Sequence, residues 1–159
     1  MTQRTEARFK VFSRSNATMF STFEYNNVDF NEGGTYDTST YEYTFENAGT
    51  YLMGYSYSKK SPLTNNNFIG ASNLLLTRGD TTYTISHTRL NERVTNTAIS
   101  NCFVYRFEVG DILQIVAAGG QPKLNAYGYG GNGIWNSWWG IKLNYYFFLY
   151  IYYNGFCIS

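Results

Sequence analysis

The sequence contains little cysteine, little proline and little charge, and each shortage argues against a class of protein. Of its 159 residues only two are cysteines, Cys102 and Cys157, which is too few for a disulfide-rich scaffold. Charged residues make up 14%, against about 25% in ordinary domains. Twelve basic side chains nearly balance 11 acidic ones, so no net field attracts nucleic acid, and we expect no nucleic-acid partner.

Histidine is the scarcest of the residues that carry chemistry. The single histidine, His87, and two separated cysteines form no spacing typical of a zinc site or a catalytic triad. We therefore expect no enzyme, no cofactor and no metal site, and we place His87 in a surface loop. For Cys102 we expect a buried position within a strand. The sequence does not decide whether Cys102 and Cys157 form a disulfide bridge.

Long apolar stretches are also missing. The run 145–153 has nine apolar or aromatic residues, whereas a membrane helix needs about twenty. The first residues, 1–6, are followed by no apolar segment of the kind that marks a secretory signal. Two interpretations remain: an intracellular start, or a sequence that lacks its leader. We assign 147–159 to an aromatic C-terminal tail and expect it to extend the last strand; the alternatives are that it covers an interface or is an artefact of gene prediction.

What the sequence does contain is aromatic side chains in alternating patterns. Aromatic residues make up 19%, with 16 tyrosines, and such residues favour strands over helices. Residues 41–46 alternate aromatic with polar side chains, and Tyr51, Met53, Tyr55 and Tyr57 fall on one face of a second strand. About ten such short segments predict a single all-β domain, a sandwich or jelly roll.

Turns and connections between these segments can also be predicted. Gly79-Asp80 separates two strand-like runs and predicts a hairpin, and Gly110-Asp111 predicts a second turn. Residues 87–99 are polar and loosely patterned, which indicates a long connection. The segment 112–116 is apolar on both faces, so its outer face needs a cover, for which a subunit interface and a loop are the candidates.

One set of spacings resembles a known family. Aromatic residues, one Asn or Asp and one Gly recur at fixed intervals across two predicted strands. The positions are Tyr25, Asn31, Tyr36, Tyr43, Gly49, Tyr51 and Tyr55. This pattern is similar to the signature of the globular head of complement component 1q, a jelly-roll domain related to tumour necrosis factor.

The resemblance extends over residues 7–146, which we take as the globular domain. Residues 107–111 resemble the family's Gly-Asp turn between two late strands, and 137–141 resemble its closing strand. Several positions depart from the pattern. Met53 replaces an aromatic residue, and Tyr41 replaces a Gly that usually follows the first bend. Phe is usual at four further positions, which here are Tyr25, Tyr43, Trp138 and Ile141. The resemblance implies a ten-stranded jelly-roll β-sandwich that assembles as a homotrimer.

The resemblance also implies a function outside the cell. It predicts an extracellular or secreted, non-catalytic recognition module of the innate-immune kind, binding carbohydrate, microbial-surface or protein ligands. The alternatives are a structural trimerisation head without a soluble ligand, and a cytokine that binds a cell-surface receptor. Asn16-Ala17-Thr18 is a glycosylation sequon, which matters only in a secreted protein. Some relatives bind calcium, but no acidic pattern in this chain matches such a site.

Two sets of residues are candidates for ligand binding. A Gly- and Asn-rich segment carries Tyr127, Tyr129 and Trp135, whose rings suit sugar or peptide surfaces. Packing on a neighbouring subunit is the alternative for that segment. Arg78-Gly79-Asp80 is an adhesion-type tripeptide at a hairpin tip, although a turn also requires Gly and Asp for its backbone alone.

Overall fold

The computed structural model describes residues 7–13, 17–19, 22–59, 71–89, 97–117, 124–126 and 136–144. All regular structure in these residues is β-strand, and none of their segments is a helix that could cross a membrane. The strands are β1 (Arg8–Ser13), β2 (Ala17–Met19), β3 (Asn27–Glu32), β4 (Gly34–Asp37), β5 (Glu42–Phe45), β6 (Gly49–Lys59), β7 (Ala71–Arg78), β8 (Thr81–Arg89), β9 (Thr97–Phe107), β10 (Ile112–Ala117), β11 (Leu124–Ala126) and β12 (Asn136–Lys142).

Ten of these strands form two five-stranded antiparallel sheets. The front sheet has the order β3-β1-β12-β6-β9, and the back sheet has the order β4-β5-β10-β7-β8. The two short strands β2 and β11 pair separately as a ribbon. The prediction of an all-β, ten-stranded jelly roll is therefore confirmed.

Aromatic rings fill the space between the two sheets. As predicted, the alternating residues of β5 and β6 point inward, and Tyr43, Tyr51 and Tyr55 are buried. Phe45 of the back sheet stacks on Phe107 of the front sheet at 4.0 Å between ring centroids. Because full burial of a Phe side chain stabilises a fold by roughly 1.5–3 kcal/mol, these rings supply much of the cohesion between the sheets.

Four tight connections lie at one end of the sandwich, called here the turn end. They contain Gly33, Asn47, Gly79 and Gly110. At the predicted hairpin, Arg78 pairs with Thr81 across the two-residue turn. Gly79 has φ +57° and Asp80 does not have a positive φ, which is the pattern of a type II′ turn with Gly first. Both predicted turns are confirmed.

Two expectations were wrong. Six of the 13 residues in the predicted connection 87–99 are strand, because β8 continues to Arg89 and β9 begins at Thr97. Thus His87 lies in a strand, where its Nδ1 is 2.6 Å from Asn73 Oδ1. The polar composition hid an edge strand, which has only one neighbour and faces water along its side. Cys102 is exposed, not buried, because its neighbours Asn101 and Phe103 occupy the inward positions of β9.

The apolar strand β10 buries one face and leaves the other partly exposed. Leu113 and Ile115 point into the core, while Ile112 and Val116 are half-buried on the outer face of the back sheet. The tail 147–159 and Cys157 lie outside the described residues. The domain limits 7–146, the tail and the bridge to Cys157 therefore stay predictions.

Candidate functional site

One of the two predicted sets of site residues lies in the part of the chain that the structure describes. Arg78-Gly79-Asp80 lies at the turn end of the sandwich. Tyr127, Tyr129 and Trp135 lie outside the described residues. Asn136, directly after Trp135, begins β12 at the end opposite the turn end, about 20 Å along that strand. The candidate set 127–135 therefore stays a prediction.

The arginine of the tripeptide is bound within the chain. Arg78 donates from Nε to Asp111 Oδ1 at 2.8 Å and from Nη2 to Asp111 Oδ2 at 2.5 Å. Its Nη2 also lies 3.4 Å from the carbonyl oxygen of Arg106 in the front sheet. Although the Arg78 side chain is 42% exposed, its guanidinium therefore joins β7 to the turn after β9.

Asp111 is the buried centre of this clamp. Its side chain is 1% exposed and accepts a further hydrogen bond from the Glu108 amide at 2.8 Å. Burial alone would raise the pKa of the Asp111 carboxyl, but hydrogen bonds from Arg78 and the Glu108 amide outweigh burial, so the pKa is lowered. Arg78 thus has a structural task that accounts for it without a ligand, and adhesion through the tripeptide stays a prediction.

An edge of the sandwich that the sequence analysis did not identify carries exposed aromatic residues. β8 ends the back sheet and β9 ends the front sheet, and the gap between these two strands is called here the open edge. Tyr83 is 50% exposed there, and Ile85, Phe103 and Tyr105 are only partly buried against the core. The alternation of Phe103 and Tyr105 was visible in the sequence, but their place at an edge depends on the strand order.

Further from the turn end, the open edge changes from aromatic to polar. Asn101 donates from Nδ2 to Ser86 Oγ at 2.8 Å and to Thr88 Oγ1 at 3.2 Å. The Tyr55 hydroxyl lies 2.7 Å from Thr88 Oγ1 and 3.4 Å from Ser72 Oγ. Since Asn101 and Tyr55 belong to the front sheet and the other three to the back sheet, this polar cluster ties the two sheets together.

The outer face of the front sheet presents a second apolar surface. Val104, which is 38% exposed, pairs with Leu52, which pairs in turn with Ile141. In the next outward row the Trp139 ring lies against Gly54, where an added Cβ would come within 2.4 Å of the ring. The absence of a side chain at Gly54 therefore lets the Trp139 ring lie along the sheet.

The described residues contain no grouping that would hold a metal ion. No three His, Cys, Asp or Glu side chains among them lie close enough together to serve as ligands. The charged groups of the front sheet pair locally instead. Arg8 donates from Nε to Glu32 Oε2 at 2.8 Å, and Lys10 donates to Asp29 Oδ2 at 2.9 Å. At these exposed positions water screens the pairs, so they add little to stability.

Comparison with known proteins gives the fold and no closer relationship. No family model and no curated protein matches the chain. A crystal structure of murine APRIL at pH 5.0 superimposes with a TM-score of 0.65 at 10% identity, covering 87% of this chain and 99% of that one. Structures of murine APRIL at pH 8.5 and 8.0 give TM-scores of 0.63 and 0.60 at 11% and 12% identity, each covering 86% of this chain and 98% of that one.

APRIL is a jelly-roll protein of the tumour necrosis factor family. This chain has the tumour necrosis factor-like jelly-roll fold. The expectation drawn from the family signature is thereby confirmed at the level of the fold. The aromatic signature positions serve the core, because Tyr25, Tyr36, Tyr43, Tyr51 and Tyr55 are all buried.

The departure at Tyr41 does not disrupt the turn that the signature implies. Tyr41 has φ +60°, a backbone conformation that a glycine adopts freely. Its amide donates to the Asp37 carbonyl at 2.7 Å, and Gln114 Nε2 donates to the Thr40 carbonyl at 3.0 Å. The left-handed conformation costs a non-glycine residue about 1–2 kcal/mol, and packing of the Tyr41 ring against the core offsets part of that cost.

Proposed function

We propose that this protein is a non-catalytic, extracellular recognition module that functions as a homotrimer. One observation carries the proposal: the jelly roll exposes two different apolar surfaces, the open edge with Tyr83 and the front-sheet face with Val104. Contiguous apolar surface exposed on a single chain is typical of an interface. The tumour necrosis factor-like fold supports a trimer as the assembly that covers both surfaces.

The difference between the two surfaces determines the kind of assembly. The open edge is a narrow ridge of aromatic side chains, whereas the front-sheet face is broad and built around Leu52 and Trp139. A copy that places its edge on the face of the next copy makes a heterologous contact, and such contacts close into rings when the rotation permits. Three copies in a ring cover every open edge and every front-sheet face.

Ligand recognition falls to segments outside the interface in this proposal. The rings of Tyr127, Tyr129 and Trp135 are the proposed contacts for a carbohydrate, microbial-surface or protein ligand. Three copies of a weak site on one trimer bind a repetitive surface with avidity, through the high effective concentration of the second and third sites. A cytokine that binds a cell-surface receptor is the second candidate, which the similarity to the APRIL structures supports.

The oligomeric part of the proposal is tested by mass in solution with two matched variants. Val104→Lys places an ammonium on the proposed contact, and we expect the concentration at which half of the chains are trimeric to rise at least tenfold. Val109→Lys is the control, because Val109 is 67% exposed in a turn away from both surfaces. A wild-type protein that sediments as a monomer at all concentrations would refute the trimer.

The recognition part is tested with the intact trimer on an array of glycans and microbial surfaces. We expect binding that is lost in the triple variant Tyr127→Ala, Tyr129→Ala and Trp135→Ala while the trimer persists. A blank array with an intact trimer favours the structural head. Saturable binding to a cell-surface protein, with a blank array, favours the cytokine.

A further inference from the structure

Both apolar surfaces change to polar at the same distance along the strands. On β9 the inward residues Tyr105 and Phe103 of the open edge are followed by the polar Asn101. The outward residues of the same strand change at the same place, from Val104 and Cys102 to Ser100. Each surface thus has an apolar part nearer the turn end and a polar part beyond it.

On the front-sheet face the polar part is a row of three serines. Strand pairing places Ser137 beside Ser56 and Ser56 beside Ser100. The hydroxyls of Ser56 and Ser137 are 3.2 Å apart. All three serines occupy outward positions, because the residues next to them, Tyr55 and Trp138 among them, are buried in the core. This serine row lies one residue beyond Asn101 along β9.

On the open edge the polar part keeps one unused hydrogen-bonding atom. Nδ2 of Asn101 is directed at the hydroxyls of Ser86 and Thr88 in the back sheet. Within the part of the chain that the structure describes, no hydrogen bond reaches Asn101 Oδ1. An amide oxygen accepts two hydrogen bonds, and the hydroxyl of a serine is a suitable donor.

We infer that Asn101 of one copy and the serine row of the next copy form a hydrogen-bonded layer across each subunit contact. This inference rests on the proposed trimer, with its axis along the strands. Rotation about such an axis keeps every residue at its height, so aromatic edge meets apolar face and Asn101 meets serines. The layer is incomplete in one chain, because the donors belong to the neighbouring copy.

The layer fixes the height at which the copies meet. A shift of two residues along the strands, about 7 Å, would place Asn101 against Val104 or Trp139 and bury an unsatisfied amide. Removing a hydrogen-bonding group from water without a partner is costly, so shifted contacts, which lead to open filaments rather than closed rings, are disfavoured. A polar group at an otherwise apolar interface fixes register in the same way in coiled coils.

A charge-pair cycle tests the layer. Asn101→Asp and Ser137→Lys each place a lone charge in the contact, and each is expected to raise the concentration at which half of the chains are trimeric. In the double variant the two charges meet across the contact, and we expect at least a tenfold lower concentration than the two single effects predict together. Within one chain the residues lie on opposite faces of the front sheet with β6 between them, so they cannot pair there.

In the control, the negative charge is introduced at an asparagine of the back sheet instead of at Asn101. Asn73→Asp lies on the outer face of the back sheet, beside His87, and its combination with Ser137→Lys is expected to show no coupling. Thermal unfolding of every variant checks that the fold persists. The layer is overturned if the wild type is a trimer and the fold-changes in the concentration at which half of the chains are trimeric, caused by Asn101→Asp and Ser137→Lys, multiply, within twofold, in the double variant. That result leaves the proposed trimer intact. A wild-type monomer overturns the proposed function first.

Discussion

The two edges of the sandwich are closed by different kinds of interaction. At the edge formed by β3 and β4 the chain itself passes from one sheet to the other through Gly33, whose carbonyl accepts a hydrogen bond from Asn47 Nδ2 at 3.0 Å. At the open edge, between β8 and β9, side chains span the gap between the sheets. The Arg78–Asp111 clamp holds the turn end of this edge, and the Asn101 cluster holds it further along.

The way each edge is closed determines whether its side chains are available to a partner. At the β3–β4 edge the turn is closely packed, because an added Cβ at Gly33 would lie 2.6 Å from Ala7 Cβ. Side-chain clamps at two points leave the segment between them uncovered, and here that segment holds Tyr83, Ile85, Phe103 and Tyr105. The open edge is therefore the one suited to association.

The largest predicted effect is at the edge formed by β3 and β4, called here the closed edge. Gly33 has φ +76°, and an added Cβ would lie 2.6 Å from Ala7 Cβ. Gly33→Ala therefore combines left-handed strain with overlap against β1, and we expect the free energy of unfolding to fall by about 3 kcal/mol. Urea denaturation of wild type and variant at the same protein concentration measures the change.

Gly79→Ala in the β7–β8 hairpin is the matched control. Gly79 also has a left-handed φ, +57°, but nothing lies within 4 Å of an added Cβ. We expect a loss of about 1 kcal/mol, from the backbone conformation alone. Equal losses at the two glycines would contradict the view that close packing, and not the turn conformation, holds the closed edge.

The next effect is at the clamp of the open edge. Asp111→Ala removes both hydrogen bonds from Arg78 and the one from the Glu108 amide. Hydrogen bonds to a charged group contribute about 1.5–3 kcal/mol, and the partial exposure of Arg78 places the expected loss near the lower value, about 2 kcal/mol. Asp111→Asn keeps the size of the side chain and is expected to lose less.

The clamp also makes the free energy of unfolding depend on pH. The pKa of the Asp111 carboxyl is lower in the folded chain than its ordinary value of 3.8, so the folded state binds its proton less readily than the unfolded state does. The stabilisation is fully present above the unfolded pKa and is lost as the pH falls through the folded pKa. The free energies of unfolding of wild type and Asp111→Asn should converge as the pH falls from 5 to 2. A difference that stays constant over this range would contradict the clamp.

The fold could be predicted from the sequence because its information is local and periodic. Alternation of aromatic and polar side chains predicted the buried faces of β5 and β6, and the pairs Gly79-Asp80 and Gly110-Asp111 predicted turns. The end of β8 escaped prediction, because an edge strand with one neighbour and a polar composition lacks that alternation.

The open edge could not be predicted, because it depends on which strands end the two sheets. Phe103 and Tyr105 look like core residues in the sequence, and only the strand order places them at a boundary. The clamp escaped for the same reason: Arg78 and Asp111 are far apart in sequence, and each already had a local explanation as part of a turn. A long-range pair of single polar residues produces no repeating pattern in the sequence, so it cannot be recognised there.

The smallest effect separates two tyrosines that differ only in their hydroxyl environment. Tyr55 and Tyr57 lie on one face of β6, both are buried, and their rings are parallel at 6.3 Å. The Tyr55 hydroxyl bonds to Thr88 across the open edge, whereas the Tyr57 hydroxyl makes no well-formed hydrogen bond among the described residues. Its burial, partly offset by the nearby Ser72 side chain, raises the pKa of Tyr57 to about 12. Tyr55→Phe should cost about 1 kcal/mol of unfolding free energy, since it leaves buried partners without their bond.

Tyr57→Phe should leave stability unchanged or slightly higher, because it removes a buried hydroxyl that makes no hydrogen bond. The same urea denaturation measures both variants, and the ring stack serves as an internal control because each variant keeps it. If both variants lose equal stability, the hydroxyl bridge does not hold the open edge, and the aromatic contacts alone keep β8 and β9 together. If only Tyr55→Phe loses stability, the open edge depends on a few polar side chains, and its aromatic middle remains free to bind a neighbouring copy.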